Sequence, residues 1–216
     1  EGDLIIVFDG AGLERQARIL RVEDALYLTP EGALVKGLAG APVTVCYGLP
    51  KGEKLDRVAR QLTELGVRHL TLVRCDRSVT KLTDDRAEKK RARLKKIIAE
   101  AARQSGRSDA MTISGPMGVS DTLSDTKDQT ILVFDPTGTH GIEQLQMTGA
   151  VTLYVGPEGG FSPSELSQLA LAGAHRARLG DLVLRTETAA PVAAQLSCEM
   201  GTPAPDMPDE FSQFDF

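Results

Sequence analysis

The chain has 216 residues, of which 25% are charged and 41% are hydrophobic. These proportions are typical of a folded globular protein with a sizeable core, and they exclude a chain that is disordered throughout. The formal net charge of −5 argues against a uniformly basic protein that coats nucleic acid. The charge is nevertheless uneven, because residues 51–107 hold 17 basic and 8 acidic side chains while the rest of the chain holds 8 basic and 22 acidic ones. An acidic protein therefore carries one basic segment.

The cysteines and histidines do not form the patterns of a disulfide framework or a metal site. The three cysteines are odd in number, far apart and never in a C-x-x-C spacing. The three histidines are also well separated. We therefore expect a protein of the reducing cytosol that binds no metal. No apolar run approaches the ~18 residues of a membrane helix, so no membrane partner is expected either.

The N-terminal part of the chain has the composition of short strands. The apolar run Leu4–Phe8 and the β-rich stretches that follow it up to residue 28 show no helical period. They predict part of a small β-barrel or β-sheet over residues 1–40. Because the chain starts almost inside the first apolar run and a strand needs partners, we expect this domain to lack a segment at its start. The Gly- and Pro-rich stretch 36–42 is the predicted linker.

Beyond the linker, apolar runs alternate with stretches of helical period, which predicts a mainly parallel sheet with helices on both faces. Ser162 and Glu165 have the spacing of a capping box, with Pro163 at the first helical position. The last residues, 202–216, contain four acids and no base, and they predict a mobile tail. The predicted strands are 43–47, 69–73, 130–134, 151–155 and 176–179, and the predicted helices are 55–65, 84–104, 163–171 and 187–200.

Three loops that follow predicted strands, residues 134–138, 156–161 and 179–189, are the candidate sites. Ligands of such sheets bind beyond the carboxyl ends of the strands. Neither the P-loop motif nor G-x-G-x-x-G occurs, which excludes the commonest ATP- and NAD-binding motifs. The glycines of the second loop allow a ligand to approach the backbone closely, although a tight strand-to-helix turn explains them equally well. Arg185 and Glu187 in the third loop have a structural ion pair or N-cap network as their alternative interpretation.

Five segments of the chain, between about residues 43 and 200, resemble the motifs of one family in content and in order. They are Gly156–Ser162 with Glu165, Leu184–Ala189, Gln104–Arg107, Asp76–Val79, and Lys54 with Glu64–Val67. The family is RsmE, a group of SPOUT-class, S-adenosylmethionine-dependent methyltransferases that modify a uridine at N3 in 16S small-subunit rRNA. Five motifs in register make a chance resemblance improbable.

The resemblance implies an α/β fold in which residues 43–200 form a SPOUT-type parallel-sheet domain with a trefoil knot, an exception to the usual rule. Residues 1–40 would be an incomplete PUA-like β-barrel domain. The resemblance also implies a cytoplasmic homodimer that acts on 16S rRNA within an assembled small subunit, and a cofactor, S-adenosylmethionine, that leaves as S-adenosylhomocysteine. The cofactor-binding residues implied by the resemblance are Phe134, Asp135, Gly156, Pro157, Glu158, Gly159, Gly160, Leu179, Gly180, Leu182, Leu184, Thr186, Thr188 and Ala189.

The same resemblance suggests catalytic roles for two side chains. Uridine N3 is a weak nucleophile until its proton is removed or the resulting charge is stabilised. Arg185 is the first candidate to stabilise negative charge on the uracil carbonyl oxygens. Glu187 would orient that guanidinium or accept the proton, and Glu158 is a further carboxylate candidate whose alternative role is to hold the backbone of its loop.

The predicted RNA-binding residues are Arg77, Arg103, Gln104 and Arg107, which we expect at the ends of elements that face the cofactor. The middle of the basic helix 84–104 is explained as well by a solvated amphipathic helix. Two other functions stay open: a SPOUT methyltransferase that acts on another RNA or base atom, and a non-catalytic RNA-binding module associated with the ribosome. Calorimetry with S-adenosylmethionine distinguishes the non-catalytic module from an enzyme, because only an enzyme should bind the cofactor. Mass mapping of rRNA distinguishes a methyltransferase with another target, because it identifies the modified nucleotide.

Overall fold

The structure, a computed structural model, describes residues 1–201 apart from positions 81, 125, 127, 139, 146 and 148. The predicted tail, 202–216, therefore lies outside the described residues. The strands are β1 (Leu4–Phe8), β2 (Leu13–Val22), β3 (Leu26–Lys36), β4 (Ala41–Gly48), β5 (Val67–Arg74), β6 (Thr112–Gly118), β7 (Thr130–Phe134), β8 (His140–Gly141), β9 (Val151–Val155) and β10 (His175–Arg178). The helices are α1 (Lys54–Glu64), α2 (Asp84–Gln104), α3 (Val119–Thr122), α4 (Pro163–Leu171) and α5 (Thr186–Gly201).

β1, β2 and β3 form a three-stranded antiparallel sheet, as the β-rich N-terminal sequence predicted. β3 is longer than expected, since it continues through Pro30 to Lys36 whereas the prediction ended at Leu28. Proline is tolerated there because β3 lies at the edge of this sheet, where one side of the strand has no ladder to lose. The segment between β3 and β4, residues 37–40, is accordingly shorter than the predicted linker 36–42.

The other strands form a seven-stranded sheet in the order β6-β5-β4-β9-β7-β10-β8, and its pairings are parallel. This confirms the parallel sheet predicted from the alternation of strands and helices. All five residues of β9 are buried, which explains its continuous apolar sequence. The prediction missed β6, β8 and α3. β6 contains Gly115 and Pro116, which resemble a turn in sequence, but an edge strand accommodates proline.

Helices cover both faces of the seven-stranded sheet. On one face, α1, α2 and α5 contribute to a core cluster that includes Leu62 and Ala194. On the other face, α3 and α4 contribute to a second cluster that includes Leu169. Successive residues of β4 alternate between the two, because Val45 belongs to the first cluster and Cys46 to the second. Among the described residues, no helix combines the length and apolarity needed to cross a membrane.

Because the strands are parallel, the two lines formed by their ends differ, and we call these lines the carboxyl edge and the amino-terminal edge. The carboxyl ends of all its strands meet at one edge, where the chain leaves β7, β9 and β10 in the three loops identified above. α2 connects β5 to β6, so it begins at this carboxyl edge and ends at the opposite, amino-terminal edge. The two ends of α2 are therefore far apart, by about 30 Å for a helix of 21 residues.

The segment that connects α2 to β6, residues 107–110, joins the two sheets. Gly12 N donates a hydrogen bond to Ser108 O at 3.1 Å. Ala110 N donates to Gly10 O at 3.1 Å. The small antiparallel sheet is therefore docked, through main-chain bonds, next to the amino-terminal edge of the large one.

Arg107 is a buried charge at this junction, with 3% of its side chain exposed. Its guanidinium donates to Thr63 O at 2.7 Å, to Val67 O at 3.0 Å and to Asp109 Oδ1 at 2.9 Å. Asp109 also accepts a hydrogen bond from Gly40 N at 3.2 Å. Burial alone would raise the pKa of Asp109, but the hydrogen bonds from Arg107 and Gly40 outweigh it, and the pKa lies below its ordinary value. The pair links α1, β5 and the segment before β4.

We predict that Arg107→Met lowers the free energy of unfolding by about 3 kcal/mol, because removing one partner leaves the other charge buried and unpaired. Urea denaturation followed by circular dichroism measures this change. Arg103→Met is the matched control, since Arg103 is exposed on the same part of the chain, and we expect a change within about 0.5 kcal/mol. Equal effects of the two substitutions would show that the buried pair contributes nothing specific.

Candidate active site

The loops that follow β7, β9 and β10 enclose a cleft together with the start of α5. The cleft has a volume of about 690 Å³, within the range of small-molecule sites. Its lining includes the buried residues Phe134 and Val155, which end β7 and β9, and Ala177, the second-last residue of β10. Thr188 is exposed on the first turn of α5 and does not line it. The predicted cofactor residues that line the cleft are Phe134, Asp135, Gly156, Pro157, Glu158, Gly159, Gly160, Leu179, Gly180, Leu182, Leu184, Thr186 and Ala189.

The glycine loop, residues 156–160, is held in place from two sides. Gly48, at the end of β4, lies so close to Pro157 that a Cβ atom would be 2.5 Å from the proline Cδ. Thr186 at the start of α5 is buried, and its Oγ1 donates to Gly156 O at 2.7 Å. The backbone that faces the cleft is therefore positioned by contacts from β4 and α5 and needs little reorganisation to meet a ligand.

The predicted capping box at the start of α4 is confirmed. Glu165 N donates to Ser162 Oγ at 3.2 Å, and Ser162 N donates to Glu165 Oε2 at 2.7 Å. The same two side chains hold the loop after β5, because Glu165 Oε1 accepts from Asp76 N at 2.9 Å and Ser162 Oγ donates to Asp76 Oδ2 at 2.6 Å. Arg77 in that loop donates to Gly159 O at 3.2 Å and lines the cleft. One network thus connects the loop after β5 to the glycine loop.

Arg176 is a cleft residue that the sequence analysis missed. It donates to Asp135 Oδ2 at 3.0 Å and to Thr137 Oγ1 at 2.6 Å. Burial by itself would raise the pKa of Asp135, but hydrogen bonds from Thr137 and Arg176 lower it below its ordinary value. A signal was present, because a basic residue precedes the third loop in a short strand that ends at the carboxyl edge.

Lys54, at the first residue of α1, forms a cluster with two of the candidate carboxylates. Its Nζ lies 2.9 Å from Glu158 Oε1 and 3.2 Å from Glu187 Oε2. Glu158 also accepts from Lys51 N at 3.3 Å. The ring of Tyr47 is buried beside this cluster, and burial together with the nearby carboxylates raises the pKa of its hydroxyl. Lys54 belongs to one of the five motifs that resemble the family, but no role could be predicted for it from the sequence.

Lys54 and backbone donors together lower the pKa values of both carboxylates. Burial alone would raise the pKa of Glu187, but its own backbone N–H and the Lys54 ammonium lower it below the ordinary value. For Glu158, burial is likewise outweighed by the hydrogen bond from Lys54 and by backbone donors. The two carboxylates raise the pKa of Lys54 in return. The cluster of Lys54, Glu158 and Glu187 therefore carries a net charge of about −1 at neutral pH.

Arg185 lies beside this cluster with its side chain exposed in the cleft. Within the described part of the chain it makes no ion pair, although its charge contributes to the lowered pKa of Glu187. Its guanidinium is thus available to a ligand, and the structural ion pair considered from the sequence is instead made by Lys54.

The structure separates the predicted RNA-binding residues. Arg77 lines the cleft. Arg103 and Gln104 are exposed at the end of α2, on the amino-terminal edge, so the expectation that they face the cleft is wrong. The predicted role of Arg107 in RNA binding is also wrong. Its guanidinium is buried against Asp109 and is not available to an RNA phosphate.

The family model described as an RNA methyltransferase domain matches residues 39–197, a range that includes the seven-stranded sheet and the residues of the cleft. The ribosomal RNA small subunit methyltransferase E of Bacillus subtilis is 30% identical over 201 residues, which cover 88% of this chain and 78% of that protein. The enzyme of the same name from Mycobacterium tuberculosis is 34% identical over 159 residues, 70% of this chain and 61% of that one. The chain belongs to the RsmE family.

Two solved structures share the fold over most of their length. A methyltransferase from Legionella pneumophila, in complex with bound S-adenosylmethionine, has a TM-score of 0.83 and 27% identity and covers 92% of this chain and 84% of that one. The ribosomal RNA small subunit methyltransferase E of Neisseria gonorrhoeae, bound to S-adenosyl methionine, has a TM-score of 0.79, 27% identity, and coverage of 93% and 84%.

We predict that Lys54→Met destabilises the protein most near neutral pH and progressively less as the pH falls below 4.5. Glu158 and Glu187 have folded-state pKa values below 4.5, so the stability that they gain from Lys54 is present above that pH and is lost as they are protonated. Thermal unfolding from pH 3 to pH 7 measures the difference from the parent protein. Lys51→Met is the control, because Lys51 contacts Glu158 through its backbone only. A pH-independent difference would contradict the prediction.

Proposed function

We propose that this chain methylates N3 of a specific uridine in the 16S rRNA of the small ribosomal subunit. As a member of the RsmE family it is an S-adenosylmethionine-dependent rRNA methyltransferase, and the target atom is the part that we add. One observation carries the proposal: at the carboxyl edge, a cleft lined by loop backbone and apolar side chains adjoins an exposed guanidinium, that of Arg185.

The residues of the cleft fit S-adenosylmethionine. Phe134 and Ala177 provide apolar surface for a flat purine ring. The backbone groups that we expect to contact the adenine and ribose are those of Phe134, Gly156, Gly160, Leu179 and Leu184. When bound, the cofactor supplies a methyl group on a positively charged sulfonium. Glu158, which lines the cleft, and Glu187, which shares Lys54 with it, are carboxylates that complement this positive charge.

Arg185 is the proposed electrostatic catalyst. Methyl transfer to N3 requires the uracil ring to carry negative charge, which spreads onto its carbonyl oxygens. A guanidinium fixed beside those oxygens stabilises that charge without reorganisation of water. Arg185 lines the cleft and is not neutralised by a carboxylate at ion-pair distance in the described structure, so its charge is available for this role.

Glu187 is better suited to orient charges than to remove a proton. Its pKa lies below the ordinary value, because backbone donation and Lys54 outweigh burial. A carboxylate this acidic is a weak base toward a uracil N–H whose pKa lies well above neutral. We therefore propose that Glu187 positions Arg185, and that Glu158 holds the backbone of the glycine loop through its contacts with Lys51 and Lys54.

The domain arrangement, the knot and the homodimer belong to the same proposal. Residues 1–40 would be a PUA-like β domain, and residues 43–200 a SPOUT domain. The course of the chain supports the knot. In the strand order, β10 lies on the far side of β7 from β9, whereas α5, which follows β10 in sequence, contacts β4 and β9. Residues 179–185 therefore lead back across the carboxyl edge of the sheet. The exposed apolar side chains Leu171, Leu182 and Val183 support a homodimer. The proposal also includes a cytoplasmic location, which agrees with rRNA as the partner, and the assembled small subunit as the substrate.

The proposal is tested with small ribosomal subunits from a bacterium that lacks its own RsmE enzyme. The subunits are incubated with this protein and S-adenosylmethionine labelled in the methyl group, and mass mapping of the digested rRNA identifies the modified nucleotide. One 3-methyluridine is expected. A methyl group on another atom or in another RNA would contradict the target, and cofactor binding without transfer would contradict enzymatic function.

We predict that Arg185→Ala reduces the rate of methylation at least ~10²-fold while the affinity for S-adenosylmethionine changes only a few-fold, because the guanidinium acts on the uracil charge. Single-turnover methylation and calorimetry measure the two quantities. A parallel loss of both would instead make Arg185 part of the cofactor site.

We predict that Glu187→Gln lowers kcat about tenfold and leaves the shape of the pH–rate profile unchanged, because the glutamine can still accept a hydrogen bond from Lys54 but no longer attracts the Arg185 guanidinium through its charge. A general base contributes about 10²- to 10⁴-fold. A loss in that range, together with a changed pH profile, would identify Glu187 as the base and overturn the positioning role.

A further inference from the structure

The basic residues of α2 fall into two groups in the structure. Lys90 and Arg91 turn toward neighbouring elements: Lys90 Nζ lies 2.8 Å from Asp56 Oδ1, and Arg91 Nη1 donates to Gly115 O at 2.6 Å. These two side chains serve the packing of α2 against α1 and β6. The remaining basic residues of the helix are exposed to solvent.

Five exposed basic residues share one face of the helix, which we term the α2 stripe. Their spacings along the chain are three, four, three and seven residues, which at 100° per residue place them within an arc of about 100°. The arc points away from the buried face that carries Leu94, Ile98 and Ala101. From first to last the stripe is about 26 Å long. It consists of Arg86, Lys89, Arg93, Lys96 and Arg103.

The charge of the α2 stripe is largely uncompensated. Arg93 lies 2.6 Å from Asp56, yet its side chain remains 62% exposed. The other four members make no ion pair within the described residues. Two acids of α2, Asp85 and Glu100, lie on the same face, which leaves a net charge of +3 on the helix arc of a protein whose total is −5.

The position of the stripe relates it to the two ends of the sheet. It begins near the carboxyl edge, where β5 ends at Arg74 and is followed by Arg77, and it ends beside residues 107–110, which hold the small antiparallel sheet. A chain of phosphates laid along it would therefore run between the methyl-transfer cleft and the small sheet.

We propose that the α2 stripe binds the phosphate backbone of the rRNA substrate. This inference rests on the proposed function, and it adds a surface outside the cleft. Side chains three or four residues apart on a helix advance by about 4.5 to 6 Å, which allows successive contacts along one strand. Such contacts position the RNA and supply affinity without reading its sequence. The negative charge of a polynucleotide complements the stripe, and each contact releases counterions.

The test is the salt dependence of RNA binding. The probe is the small subunit from the bacterium without its own RsmE enzyme, and the variant is Arg86→Gln with Lys89→Gln and Lys96→Gln. At ~0.7 per phosphate contact, the slope of log K against log[salt] should become shallower by about 2, and affinity near 0.1 M salt should fall about 100-fold. In methylation the loss should appear in KM rather than in kcat, with cofactor affinity unchanged by calorimetry.

Two neighbouring lysines give a matched pair of single variants. Lys95 and Lys96 are both exposed, but Lys95 is rotated by about 100° and lies outside the stripe. Lys96→Gln should reduce the salt slope by about 0.7, whereas Lys95→Gln should leave it unchanged. Both proteins are compared by thermal unfolding so that a folding defect is recognised.

Three outcomes would overturn the inference. Equal slopes for Lys95→Gln and Lys96→Gln would show that only total charge matters. If the triple variant kept the parental slope of log K against log[salt], the stripe would be a solvated helix face. If the triple variant changed the oligomeric state measured by sedimentation but not this slope, the stripe would instead contact a second copy of the chain. If instead the parent protein binds the subunit but transfers no methyl group, the proposed function fails while the stripe can still be measured by the slope.

Discussion

The parallel pairing of seven strands is the constraint on which the rest of the structure depends. Parallel strands cannot be joined by tight turns, so each connection crosses the sheet, as α1 and α2 do. The carboxyl ends consequently meet at a single edge. Segments far apart in sequence, from Lys54 to Ala189, become neighbours there and line one cleft. The opposite edge receives the junction with the small sheet, so the cleft and this junction lie at opposite ends of the strands.

Beside the cleft, Lys54 is the cation that two carboxylates share. It brings together the first residue of α1, the glycine loop and the first turn of α5, and it holds two carboxylates as anions. A single ammonium thus partly balances the charge of these two carboxylates, and Arg185 makes no ion pair with either of them in the described structure. The arrangement also explains why the candidate carboxylates are poor bases, since the cation that stabilises their charged forms lowers their affinity for protons.

Sequence patterns predicted helices and loops correctly where periodicity, capping residues and turn residues indicated the same structure. The bounds of α2 and the cap of α4 follow from their flanking residues, and the three loops follow from strand ends. β6 was missed because Gly115 and Pro116 indicate a turn, and only its place at the sheet edge makes them acceptable. The roles of Lys54 and Arg107 could not be predicted. Each contacts residues that are distant in sequence, such as Glu158 for Lys54, and local periodicity carries no information about such pairs.

The hydrogen bond from Thr186 to Gly156 links the last described helix to the occupancy of the cleft. α5 begins where the third loop ends, and its first residue is fixed to the glycine loop. A molecule that binds only when the glycine loop and the start of α5 are both in place stabilises the anchored form of the helix relative to a frayed form. Its contribution grows with concentration as RT ln(1 + [L]/Kd), about 2.7 kcal/mol at a hundredfold excess over Kd. A well-supplied methyl donor would therefore act as a folding partner of the C-terminal helix as well as a reactant.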